Sequence, residues 1–293
     1  MRDPRQPFLG SHALDSGAMS RHQLRTQYLA ILPNVYLSRQ VQPSLEQRIN
    51  AAGLWSKGIG IFAGATAAAL HGAKWIPEDV PVELICANSR PPRGVLTRRF
   101  RLLADETQEL DGRVVTTPER TAFDIGRRGT LHSAVAQLDA LAAATGFKVD
   151  DVLRVAQRHP HSPGLRQLEA ALELVDAGAQ SPRESYLRLL LVDAGFPRPQ
   201  TQIPVLDPDG FAVAYIDIGW SEYLVAVEYD GGEHQRDRWR YVKDIRRLEL
   251  LEQLGWLVVR VVAEHRRADI VRRVHEALTA RGWAGSSKAI SVR

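Results

Sequence analysis

Apolar and polar positions alternate through two runs near the C-terminus, Phe211 to Trp220 and Tyr223 to Tyr229, with a short polar turn between them. Alternation at period two, bounded by turn residues, predicts a β-hairpin. Upstream, Ser181-Pro182-Arg183-Glu184 is a capping box with proline at the first helical position, which opens a helix over 183–194. Downstream, the pattern predicts a helix over 237–254, a break at Gly255, a strand over 256–262 and a helix over 268–281. The N-terminal half shows shorter elements. Ser20 caps a basic helix over 19–28, Val35-Tyr36-Leu37 is a strand, 44–52 is helical, and the Ala-rich stretch 59–71 reads as one helix ended by Gly72. Strands are predicted over 80–87 and 94–102, and helices from Thr117 to Asp124 and over 131–145, 149–158 and 165–177. Residues 1–18 are polar and rich in Pro and Gly, which predicts a poorly ordered tail, and 286–293 form a second one.

This succession describes an α/β chain of two domains, 19–178 and 179–285, joined at Gly178-Ala179-Gln180. A chain of 293 residues with 44% hydrophobic content can fill two cores. Its single cysteine, Cys86, leaves no disulfide framework and no Cys-rich zinc site. There is no apolar run of about 18 residues and no signal-peptide core, so a cytoplasmic protein without a membrane partner is expected. The net charge of +4 is mild, but arginines cluster at 98–101, 127–128, 236–247 and 266–267. Arginine suits bidentate phosphate contacts, and the Arg236–Lys243 stretch points to nucleic acid.

Two acids break the hairpin pattern. Asp217 and Glu228 lie inside the strands, where an unpaired charge costs several kcal/mol to bury. They need a compensating cation. A divalent metal ion is the most economical answer; salt bridges to Arg247 or Arg260 are the alternative. Glu184 is equally two-sided, since the capping box explains it without any chemistry. Asp230-Gly231 is an ordinary turn pair, and His234 at a helix start is either solvated or a phosphate contact. Trp239, within the basic stretch, is expected in a core.

Taken together, Asp217, Glu228, Asp230-Gly231, His234, a helix carrying Asp244 and Arg247, and Gly255-Trp256 followed by Val258 and Arg260 resemble the very-short-patch-repair-like branch of the PD-(D/E)XK endonuclease superfamily. The resemblance spans roughly 181–283 and implies an αβββαβ domain. It implies Mg²⁺ or Mn²⁺ held by Asp217 and Glu228 with Glu184 completing the shell, and catalytic roles for Asp217, Glu228, Asp230, His234 and Arg247. DNA would be gripped by Arg236, Arg240, Lys243 and Arg247. The chain departs from the superfamily at one position: Asp230 stands two residues after Glu228, where a lysine is usual.

The first half carries a second resemblance. His71-Gly72, the Ser89-Arg90-Pro91-Pro92-Arg93-Gly94 segment and Val115 to Asp124 look like the AbiEi-type antitoxin and transcriptional-regulator family over about 20–175. In that family an N-terminal winged helix binds DNA. Here one basic helix is read before the Val35-Tyr36-Leu37 strand, and a helix-turn-helix needs a second helix to brace it. The resulting expectation is a metal-dependent DNA endonuclease, serving DNA repair or phage defence. The alternative is a non-catalytic DNA-binding regulator or antitoxin with a degenerate nuclease fold. Arg120 and Asp124, four apart on one helix, are expected to form a local salt bridge.

Overall fold

The computed structural model describes Asp3 and residues 5–88, 90–207, 209–230 and 238–287, with the backbone alone for 238–244. His234 and Arg236 lie outside the described residues, as do the side chains of Trp239, Arg240, Lys243 and Asp244. The chain is mixed α/β and divides into two compact units. One comprises Met1–Gln137 and Ala144–Leu172, the other Leu138–Ala143 and Glu173–Arg293.

The first unit opens with β1 (Phe8–Leu9), α1 (Gly10–Asp15), α2 (Arg21–Gln27), β2 (Tyr28–Leu32) and β3 (Val35–Ser38). The strands form a small antiparallel sheet in the order β1-β3-β2. This corrects the expectation for residues 1–18. Phe8 and Ala13 are buried, and Phe8 sits edge-on against Tyr28 at 5.1 Å between ring centroids. Two apolar anchors, together with Leu24 of α2, order a segment whose average composition is polar. A second helix therefore precedes β3, contrary to the reading of one. Ser20 caps α2 as expected: its hydroxyl accepts the Gln23 N–H at 3.2 Å, and the Gln23 side chain reaches back to the Ser20 N–H at 2.8 Å.

The rest of this unit is a mixed five-stranded sheet with helices. It contains α3 (Leu45–Trp55), β4 (Ile61–Phe62), α4 (Gly64–Leu70), β5 (Val82–Ile85), β6 (Val95–Arg98), β7 (Thr107–Leu110) and β8 (Arg113–Thr116). Helices α5 (Pro118–Gly126), α6 (Leu131–Thr145), α7 (Val149–Arg158) and α8 (Leu165–Leu174) follow, with residues 138–143 of α6 and the last two of α8 counted in the second unit. The sheet order is β6-β5-β4-β8-β7. The stretch 59–71 is not one helix. Phe62 pairs with both Leu84 and Val115 at the sheet centre, so the chain is extended there and the helix begins only at Gly64. Burial in a sheet overrides the helical preference of neighbouring alanines.

The second unit runs α9 (Pro182–Asp193), β9 (Gln200–Leu206), β10 (Ala212–Trp220), β11 (Val225–Asp230), α10 (Arg238–Gln253), β12 (Leu257–Val262) and α11 (Arg267–Ala280). The sheet order is β12-β11-β10-β9. The β11–β12 pair is parallel and the others antiparallel. One core cluster unites Leu187 and Leu191 of α9, Val227, Val259 and Val261 of the sheet, and Val274 and Leu278 of α11. A second joins Ile203, Val205, Ile216 and Ala226 to Leu251 and Trp256. Each such side chain contributes about 1.5–3 kcal/mol on burial. Gly255, at φ +85°, turns the chain out of α10, and the Trp256 N–H bonds back to the Leu251 carbonyl at 2.9 Å. That turn sets β12 beside β11.

Candidate functional site

The register of the second sheet builds a polar row. Ile218 pairs with Val227, so the next rung of the same antiparallel ladder sets Asp217 opposite Glu228. Opposed residues of an antiparallel pair share a face. Ile203–Ile216 and Thr201–Ile218 pairing places Gln202 beside Asp217, and Glu228 pairs with Arg260. Gln202, Asp217, Glu228 and Arg260 thus cross all four strands in one line. Asp217, Glu228, Tyr229, Asp230, Arg247, Leu248 and Arg260 line a cavity of about 190 Å³.

The acids of this row are met by arginine. Arg247 donates to both carboxylate oxygens of Glu228, at 2.9 and 2.6 Å, and also to the Tyr215 carbonyl at 2.9 Å. Arg260 pairs with Asp230. Gln202 Nε2 lies 3.5 Å from an Asp217 oxygen. Burial raises the Asp217 carboxyl above its usual value, opposed by Arg247 and by the Gln202 contact. Burial also raises Glu228, against the bonds and charge of Arg247, while the Asp217 charge adds to the rise. Glu184 is raised chiefly by burial, with Asp217 adding its charge.

Glu184 is committed to its cap. One oxygen accepts the Gln180 N–H at 2.8 Å and the other the Ser181 hydroxyl at 2.8 Å, while its own N–H donates to Ser181 Oγ at 3.2 Å. A divalent ion would need oxygens with free lone pairs converging on one point. Glu228 has both oxygens on Arg247, Asp230 faces Arg260, and Glu184 faces backbone and hydroxyl donors. Among the described residues, no three His, Cys, Asp or Glu side chains are grouped to hold an ion. Among the described residues, Glu228, Asp230 and Glu184 thus already hold donors with which an Mg²⁺ or Mn²⁺ ion would have to compete. Sequence reasoning allowed the ion pairs without choosing them, and it missed Gln202, which only the strand register brings to Asp217.

In the first unit, α2 buries only Leu24. Arg21, His22, Arg25 and Thr26 are exposed, and the β2–β3 hairpin follows directly. Behind the five-stranded sheet lies a buried charge network. Arg120 bonds Asp124 at 3.0 Å and Glu106 at 2.5 Å, Arg127 bonds Asp124 at 2.7 Å, and His159 Nε2 meets Glu106 at 2.7 Å. The local Arg120–Asp124 bridge is present, but it is almost wholly buried, so it acts as a core element. Thr117 caps α5, and the His71 ring bonds the Thr116 carbonyl at 2.7 Å. No helix among the described residues is long and apolar enough to cross a membrane.

Residues 59–168 match the model of a protein family, the AbiEi antitoxin C-terminal domain. Two curated relatives from Mycobacterium tuberculosis are similar along most of their length. These are the uncharacterized proteins Rv2248 of strain H37Rv and MT2308 of strain CDC 1551. Each is 27% identical over 270 residues, covering 90% of this chain and 96% of the relative. No solved structure matches the chain.

Proposed function

We propose that this protein is a non-catalytic DNA-binding regulator of the antitoxin type, contacting DNA through α2. The observation that carries the reading is the surface of that helix. Leu24 and its neighbours anchor it to α1 and the small sheet, while Arg21, His22, Arg25 and Thr26 face solvent. A braced helix with basic residues outward, followed by a hairpin, is suited to lie in a major groove with the hairpin against the backbone. The antitoxin-family match over 59–168 supports the same reading, and so does the mild positive charge.

The geometry of the second unit supports a non-catalytic protein over a metal-dependent endonuclease, because Arg247 already binds Glu228 and Arg260 already pairs with Asp230. The test is binding of the whole protein to a labelled duplex from upstream of its own coding sequence, against a scrambled duplex of equal length. A clear preference for the first is expected, with no Mg²⁺-dependent cleavage of duplex, nicked or single-stranded DNA. Cleavage that is lost in Asp217→Ala would replace this reading with the endonuclease.

A further inference from the structure

We infer that the second unit carries a nucleobase pocket at the carboxyl ends of β11 and β12. It does not depend on the α2 reading, because it lies in the other unit and requires no duplex.

The pocket measures about 250 Å³. Arg183, Tyr186, Leu187 and Leu190 form one wall. They stand at i, i+3, i+4 and i+7, a single face of α9. Tyr229 lies next to the end of β11, Val261 and Val262 end β12 with Ala263 just beyond, and His265 and Ile270 close the far side. Leu187, Val261 and Ile270 are buried and make an apolar floor, whereas Tyr186 stands 45% exposed at the mouth. The Arg183 guanidinium lies 5.3 Å above the Tyr229 ring.

The lining selects among ligands. Two phenol rings and a stacked guanidinium favour a flat aromatic body, since every base offers a π-face to such groups. His265 Nδ1 accepts the Val262 N–H at 3.2 Å and lies 3.4 Å from Arg273 Nη1. Both partners are donors, so the ring proton resides on Nε2, which can donate to an edge acceptor of a base. A purely aliphatic side chain would offer that donor nothing. Arg183 lines the pocket and Arg273 contacts His265, two cations that complement a phosphate-bearing ligand. Tyr229 also lines the cavity of Glu228 and Arg247, so the base pocket and the polar row meet at one residue. The ligand class is an unpaired nucleotide within single-stranded nucleic acid.

The test is fluorescence anisotropy of the full-length protein with a short labelled oligodeoxythymidine and with an abasic strand of the same length. The base-bearing strand should bind at least fivefold tighter, as one stacked base is worth about fivefold to 150-fold in affinity. Tyr186→Ala should remove that difference, while Tyr186→Phe, which keeps the ring, should retain it. Circular dichroism of Tyr186→Ala should match the parent, since the side chain is at the surface. Arg25→Ala should leave the ratio of the two affinities unchanged, since both strands carry the same phosphates, which separates this pocket from α2. Equal affinity for the two strands, or unaltered discrimination in Tyr186→Ala, would overturn the proposal.

Discussion

Arg247 holds Glu228 with a two-pronged grip, one nitrogen to each carboxylate oxygen at 2.9 and 2.6 Å. The pair ties α10 to β11, and its third bond, to the Tyr215 carbonyl, adds β10. Glu228 is buried, so removing its partner would strand a charge in a poorly solvated site. Arg247→Ala is expected to destabilise the second unit by about 3–5 kcal/mol, whereas Glu228→Leu with Arg247→Met should be near neutral. Urea denaturation followed by tryptophan fluorescence checks both. If Arg247→Ala unfolds at the parental urea concentration, the ion pair is not what holds these elements together.

Asp217 sets an opposite expectation. Its folded-state pKa is raised, mainly by burial, above the usual 3.8. A carboxyl raised on folding holds its proton in the native state at pH values where the unfolded chain has lost it. Its contribution is therefore fully present below the unfolded pKa and is lost as pH rises through the folded one. Asp217→Asn should melt higher than the parent at pH 7, with the difference closing as pH falls through the carboxylate range. Thermal melts of both proteins across that range measure this. A lower melting temperature for Asp217→Asn at neutral pH would mean that the ionised carboxylate is a required partner of Arg247.

Asp124 belongs to the first kind of site. It is fully buried and accepts from Arg120 at 3.0 Å and Arg127 at 2.7 Å. Asp124→Asn removes one charge and leaves the buried Arg127 guanidinium short of its counter-ion, while Arg120 keeps Glu106. A loss of about 3–5 kcal/mol is expected from the first unit. Differential scanning calorimetry should show that unit's transition fall while the other stays in place.

The proposed DNA-contacting helix makes a prediction in salt. Arg25→Ala should weaken duplex binding alike for specific and scrambled sequences if the side chain meets phosphate, and it should reduce the slope of log K against log salt by about 1. A change confined to the specific duplex would move Arg25 from the backbone to a base edge. An unchanged affinity would show α2 to be a solvated face.

Much of the second unit was legible because its elements are long and strongly patterned. The Ser181 cap, the alternating hairpin and Gly255 each carry a local physical signal that survives folding. The N-terminal segment was not legible, since a run of 18 residues anchored by Phe8 and Ala13 looks polar on average. Phe62 failed for a different reason: its two strand partners, Leu84 and Val115, are far away in sequence. At the site, the sequence marked Asp217 and Glu228 as acids needing a cation and favoured a divalent metal ion. The pairing of Glu228 with Arg247 was not legible, since it rests on α10 presenting Arg247 to β11, a relation set by packing and by the Gly255 turn. Gln202 and the Arg260–Asp230 pair were hidden likewise, because register across strands is invisible until the hairpin and the β11–β12 crossover are both in place.

Magnesium provides the sharpest division between the two readings of the acidic row. A ligand that binds the native state alone stabilises it by mass action, by about 2.7 kcal/mol when present at 100 times its dissociation constant. In the arrangement of the row, an ion would first have to pull Glu228 away from Arg247 and overcome the desolvated charge left behind. It would gain Asp217, which already feels the Arg247 charge, while Glu184 stays bound to its cap. The expected result is that millimolar Mg²⁺ or Mn²⁺, added after EDTA treatment, leaves the melting temperature of the parent and of Asp217→Asn equally unmoved. A rise in the parent that is absent from Asp217→Asn would show that Arg247 yields to the metal. The non-catalytic proposal would then give way to a hydrolytic one with Arg247 free to meet phosphate.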